Sequence, residues 1–233
     1  MKCNRVCRAI KGIKYNQLIF VDELYKEVLF NDMNEEAYFK QIERLYKKGV
    51  ISKVSKGVYV KQEEDDEHTK SLTNMDISKQ LIENNHGMIV GYQLFNKLHL
   101  TNYESQEYDV FSNRIKSHTK NIKDVHIHRI DIEFNMGVIN SIEFLEVLDN
   151  YYNIEDMNYK ALVDFVDEST SKYNEQTYEY VLENVHYAKS TIAFLKAILD
   201  HNHVKNNLDR HLSHLSKYHY PDIDILYKKK DIS

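Results

Sequence analysis

Proline occurs once and glycine six times in 233 residues, so little interrupts regular backbone and helix is expected to dominate. Cysteine occurs twice, at Cys3 and Cys7, four apart on one helix face. That spacing suits neither a disulfide framework nor a complete zinc site, and a reduced, cytoplasmic protein is expected. No apolar run approaches the roughly 20 residues of a membrane span. The opening MKCNRVCRAIKGIKYNQ carries charges but no apolar core, so no secretion signal is expected. A Walker loop, a dinucleotide fingerprint, a nucleophile elbow and a metalloprotease helix are all missing. No catalytic residue or cofactor is therefore assigned, and the chain is not read as an enzyme.

What is present is a globular composition, with 42% hydrophobic residues. The net charge of -5 conceals an asymmetry. Residues 1–62 carry 13 Lys/Arg and 7 Asp/Glu, whereas the remainder carries 18 and 29. A basic head on an acidic body implies that phosphates attract the first and are repelled by the second.

The most informative stretch runs from Asn34 to Lys61. Asn34 is placed to cap a helix, with Glu35 and Glu36 at the positive end of its dipole. Tyr38, Ile42 and Leu45 recur at helical spacing as one apolar stripe. Lys40, Arg44, Lys47 and Lys48 fall on the other side. Gly49 ends the helix, and Ile51–Val54 and Val58–Lys61 read as two strands turned at Ser55-Lys56-Gly57. A basic helix followed by a basic hairpin is the layout of a winged helix-turn-helix that binds duplex DNA. Arg44 and Gln41 are the candidates for reading base edges. Lys40, Lys47 and Lys48 on the helix and Lys53, Lys56 and Lys61 on the wing are the candidates for phosphate contacts. The competing reading of each lysine is ordinary solubility, and Arg44 has Glu43 and Asp32 as alternative partners.

The expected fold is α+β and mostly helical, in four parts. Residues 1–62 form the winged helix, with helices over 4–11 and Ile19–Leu29 ahead of the basic one. Residues 63–71 form a linker that begins with five consecutive acids, Glu63 to Glu67. Residues 72–136 form a small α/β segment, with helices over Leu72–Asn85 and from Gly91 to near His99. Its expected strands are Met88–Val90, Tyr108–Ser112 and Lys123–Phe134. In the last, Val125 and Ile127 lie on one parity and Ile130, Ile132 and Phe134 on the other, which places a bulge or turn near Arg129. Residues 137–233 are expected to be helical, packing with 72–136 as one body. The helices there read as Ser141–Tyr152, Met157–Asp167, Glu175–Tyr187, Ser190–His201 and Asn206–Tyr218, followed by a frayed tail from Tyr227.

Ile42, Arg44, Leu45, Lys47, Gly49, Ile51, Val54, Gly57 and Tyr59 form an IxRLxKxGxIxxVxxGxY pattern. Gly91, Leu94, Asn96, Leu98, Leu100 and Thr101 form a second, GxxLxNxLxLT. In that order, the two make residues 1–130 resemble the AbiEi-like antitoxins of the bacterial AbiE abortive-infection systems, which are type IV toxin–antitoxin modules of phage defence. The resemblance implies a transcriptional autorepressor that binds inverted repeats in its own promoter, as a dimer or as two copies. It also implies a body that opposes a nucleotidyltransferase toxin. Such a toxin carries a glycine-serine loop before paired aspartates. Here Asp222 and Asp224 have the paired spacing without that loop, so the resemblance points to the antitoxin partner. Residues 137–233 match nothing in that family.

Three other constellations carry weaker chemistry. His126 and His128 share a strand face, and His211 and His214 share a helix ridge with His201 and His203 upstream. Either set suits zinc or nickel, but neither has a complete ligand set in sequence, so no metal is assigned. The 18 tyrosines fall in core stripes rather than on a stacking platform. The alternative function is a winged-helix regulator whose body binds a ligand or only dimerises.

Overall fold

A computed structural model describes residues 5–26, 33–61 and 72–231. The chain is mixed α+β, about 51% helix and 14% strand, so helix outweighs strand as composition implied. It divides into two compact units, Met1–Gln80 with Asn121–Val125, and Leu81–Lys120 with His126–Ser233. The acidic run expected to be a linker lies outside the described residues. Among them, no helix is long and apolar enough to cross a membrane.

In the first unit, α1 (Arg5–Gly12) buries Val6 and Ile10, and β1 (Leu18–Phe20) leads into the short α2 (Val21–Leu24). The longest helix here is α3 (Glu35–Lys47). Its first turn is capped by the Asn34 side chain, which accepts the Ala37 amide at 2.8 Å. Its end is made by Gly49 at φ +70°, which lets the Val50 amide turn back to the Leu45 carbonyl at 3.0 Å. Strands β2 (Ile51–Ser55) and β3 (Val58–Lys61) follow, joined through Gly57 at φ +75°. The sheet order is β1-β3-β2, all antiparallel, with Ile19 opposite Tyr59 and Tyr59 opposite Lys53.

Tyr38, Ile42, Ile19 and Ile51 pack with α1 in one apolar cluster, and the Tyr38 hydroxyl donates to the Val21 carbonyl at 2.8 Å. Alternation along the strands turns Leu18, Phe20 and Val58 to the other side of the sheet, where they too are buried. The same unit holds α4 (Asn74–Ile82), whose Gln80 accepts the Leu18 amide at 2.6 Å and donates to the Asn16 carbonyl at 3.0 Å.

The expected helix over Ile19–Leu29 is therefore corrected at its start. Leu18–Phe20 is a strand because β3, some forty residues away, supplies its ladder partners. A three-residue apolar run carries no period by which to tell strand from helix. Residues 27–29 of that expectation lie outside the described residues.

The second unit contains β4 (Gly87–Val90), α5 (Tyr92–Lys97), β5 (Tyr108–Ser112), β6 (Thr119–Ile122) and β7 (Val125–Arg129), in sheet order β4-β5-β7-β6. The tip of the β6–β7 hairpin is counted with the first unit. The single strand expected over Lys123–Phe134 is instead this turn followed by β7. The parity slip is present where it was expected. Val125 and Ile127 are buried on the strand, and Ile130, Ile132 and Phe134 are buried after it ends.

Helices α6 (Met136–Asp149), α7 (Tyr159–Ser171), α8 (Glu175–Asn184) and α9 (Lys189–His201) make the core. Asn135, Asn158 and Asn174 cap the first three through amides at 3.0, 3.1 and 3.0 Å. Helix α6 is buried continuously from Ser141 to Leu148, the mark of a central helix.

The expected helix Asn206–Tyr218 is absent. Only Leu208–His211 makes a 3-10 turn, because Asn206 and Ser213 bond backbone amides two residues on and compete with the helical ladder. The tail from Tyr227 is not frayed through the described residues. Helix α10 (Ile223–Lys228) buries Leu226, the Tyr227 hydroxyl donates to Asp167 at 2.9 Å, and Lys230 pairs with Asp164 at 2.7 Å.

Candidate nucleic-acid interface

The outer face of α3 is exposed at Glu36, Lys40, Glu43, Arg44, Lys47 and, at the cap, Lys48. It is not uniformly basic. Lys40 pairs with Glu36 at 2.6 Å and Lys47 with Glu43 at 2.7 Å, both one helical turn apart. The Lys47 ammonium holds the Glu43 carboxyl below the usual carboxylate range, first by hydrogen bond and then by charge. These pairs are fully solvated and so weak that a phosphate readily displaces the carboxylate. Among the described residues this face carries four cations, Lys40, Arg44, Lys47 and Lys48, and two carboxylates, Glu36 and Glu43. Glu43 is committed to Lys47, and the Arg44 guanidinium has no ion-pair partner among the described residues; Asp32, its other alternative, lies outside them. On the hairpin, Lys53 and Lys56 are exposed, and the Ser55 hydroxyl at its tip donates to the Asn121 carbonyl at 3.4 Å.

Two of the eight expected contact residues are placed otherwise. The Gln41 amide oxygen is buried and meets no hydrogen-bond donor among the described residues. Gln41 lies three residues after Tyr38 and four before Leu45, so it flanks the apolar stripe and does not present its amide for bidentate reading of adenine. Lys61 turns its ammonium to the end of α1, donating to the Lys11 carbonyl at 2.9 Å and the Ile13 carbonyl at 3.1 Å, over the ring of Tyr15. It neutralises the negative end of that helix dipole and is a structural cation of the head. Spacing along its own strand gave no sign of this, because its partners sit about fifty residues earlier.

The Gln41 oxygen yields a prediction. Gln41→Met removes a buried, unsatisfied acceptor while keeping its volume. Chemical denaturation should show unchanged or slightly raised stability, by up to about 1 kcal/mol. Any duplex selectivity should be unaltered; a loss of selectivity would return Gln41 to the reading surface.

The remaining constellations resolve into structure. His126 and His128 share the outward face of β7, near Asp109, whose carboxyl is pushed up by burial and drawn down by both histidines. His211 and His214 do not share a helix. His211 meets Glu179 at 2.6 Å beside Arg210, whereas His214 is exposed. His201 stacks on Tyr227 and lies 3.7 Å from Asp224, and exposed His203 takes a left-handed turn. Among the described residues, no group of three or more His, Cys, Asp or Glu side chains is placed to hold a metal ion. Asp222 caps α10 by accepting the Ile225 amide at 3.0 Å. Cys7 is half-buried, and Cys3 lies outside the described residues.

The second sequence pattern is a fold device. Gly91 at φ +65° begins α5 where a Cβ would come within 2.7 Å of an Asp109 oxygen. Asn96 donates to the Tyr103 carbonyl at 3.0 Å, and Thr101 donates to the Glu155 carbonyl at 2.6 Å. Tyr25, Tyr38, Tyr151, Tyr178 and Tyr187 are core residues. No family model matches this chain, and no curated protein matches it.

Proposed function

We propose that the first unit is a winged helix-turn-helix that binds duplex DNA, with α3 entering the major groove and the β2–β3 hairpin along the phosphates. The observation that carries this reading is the element order α1-β1-α2-α3-β2-β3 with the strand order β1-β3-β2. It supports a head whose third helix is held against a three-stranded sheet while one face stays exposed. On that face and the adjoining hairpin, Arg44 is the base-reading residue, and Lys40, Lys47, Lys48, Lys53 and Lys56 are the phosphate contacts. Gln41 and Lys61 are left out for the reasons given above. The acidic second unit does not add to phosphate binding.

The AbiEi-like resemblance extends this to a transcriptional autorepressor that acts on its own promoter, with a body that opposes a nucleotidyltransferase toxin. The pattern from Ile42 to Tyr59 supports that extension, since its apolar and glycine positions are those that build α3 and the hairpin turn.

Lys53→Ala and Lys56→Ala test the hairpin contacts. Each should weaken binding to every duplex alike and lower the slope of log affinity against log salt by about one. Fluorescence anisotropy at several salt concentrations reads both. Unchanged slopes would remove the hairpin from the interface.

A further inference from the structure

Helices α5, α6, α7 and α8 of the second unit enclose a cavity of about 200 Å³. Its inner wall carries Glu143, one of two buried carboxylates on the central helix, with its side chain 12% exposed. Among the described residues it pairs with the Lys97 ammonium at 2.7 Å, on a side chain that is 67% exposed. Withdrawing a carboxylate from water is unfavourable unless it is well paired, and one flexible surface lysine is a weak counterion. Across the opening, Glu168 and Lys172 form a second pair at the rim. Phe165 and the hydroxyl-bearing Thr177 are also part of the lining.

Two cations and two carboxylates make this lining electrically neutral, with both signs within reach of one small guest. The volume lies below the roughly 300–1,000 Å³ of ordinary ligand pockets, which excludes nucleotides and larger cofactors. A lone cation or anion that entered one of these pairs would leave the displaced partner unmatched. A dipolar guest matches both.

We infer that this cavity is a binding site for a small zwitterion of the α-amino-acid class. The ammonium of the guest takes Glu143 in place of Lys97. Its carboxylate is held by Lys172 and the displaced Lys97, and a short aliphatic side chain rests on Phe165. This site is independent of the head's surface, so its test does not depend on DNA binding.

The full chain is titrated with alanine, serine and valine, following heat of binding and melting temperature. Matched amines and carboxylates, each lacking one of the two charges, serve as controls. At least one amino acid should bind at millimolar concentration and raise the melting temperature, and neither half-ligand should do so. Lys172→Ala alters an exposed rim residue and should keep the ligand-free melting temperature while weakening binding at least about tenfold. Glu143→Gln should abolish binding. Three results would each overturn the site: no amino acid binds, the amine alone binds as well as the amino acid, or Lys172→Ala binds like the parent.

Discussion

Glu146→Gln should stabilise the protein by about 3 kcal/mol at pH 8 and leave it nearly unchanged at pH 4.5. Glu146 lies in the continuously buried part of α6 and is 8% exposed. Burial is the largest influence on its carboxyl and pushes it up to about 7. The Tyr187 hydroxyl, donating at 2.9 Å, favours the ionised form and offsets part of this, whereas Asp149 and Asp109 add to the rise. An acid whose pKa is higher in the folded state is neutral in both states below its unfolded value near 4.5, and there it costs nothing. Between 4.5 and 7 the unfolded chain ionises while the folded one resists, so stability falls as pH rises, and the loss is complete above 7. Glutamine keeps an acceptor for Tyr187 and carries no charge to desolvate. Urea unfolding of parent and variant from pH 4.5 to 8 should give curves that meet at the acid end and separate by about 3 kcal/mol at the basic end. Parallel curves would mean that the carboxylate is ionised and satisfied in the folded protein.

Arg44→Ala should cost about 1–3 kcal/mol on the preferred duplex and far less on a scrambled one. Arg44 is exposed on α3, and among the described residues no carboxylate neutralises it, unlike Lys40 and Lys47. Its guanidinium is thus available to offer two parallel donors to the O6 and N7 of a guanine. Arg44→Lys keeps the charge and loses the fork, so it should retain affinity for any duplex and lose most of the discrimination. Both variants should unfold like the parent, since the side chain is solvated. Equal losses on the two duplexes would make Arg44 a phosphate contact. No loss on either would take α3 off the DNA.

Local signals were strong where short-range chemistry decides the outcome. The stripe Tyr38-Ile42-Leu45, the Asn34 cap and the Gly49 stop predict α3 to within a residue at each end. The burial of Val125 and Ile127 follows from a period of two. Legibility failed where a residue's partner is distant in sequence. Leu18–Phe20 is a strand because of Val58–Val60, and Lys61 is a structural cation because of Lys11 and Ile13. It failed again where side chains compete with backbone, as in the broken helix after Asn206. For the interface, the basic residues are visible in the sequence and their neutralisation is not. Glu36 suits the helix dipole and Glu43 adjoins Arg44, yet both stand one turn before a lysine and pair with Lys40 and Lys47. The cavity around Glu143 had no sequence signature, because its lining comes from four separate helices.

The central claim, that the head binds duplex DNA through α3, is tested most directly by titrating the full chain against its own upstream promoter and a scrambled duplex at two salt concentrations. The account predicts tight binding that prefers the promoter, with a preference that survives the higher salt while overall affinity falls. Weak binding that is equal on both duplexes and vanishes with salt would contradict it, leaving α3 an ordinary solvated helix.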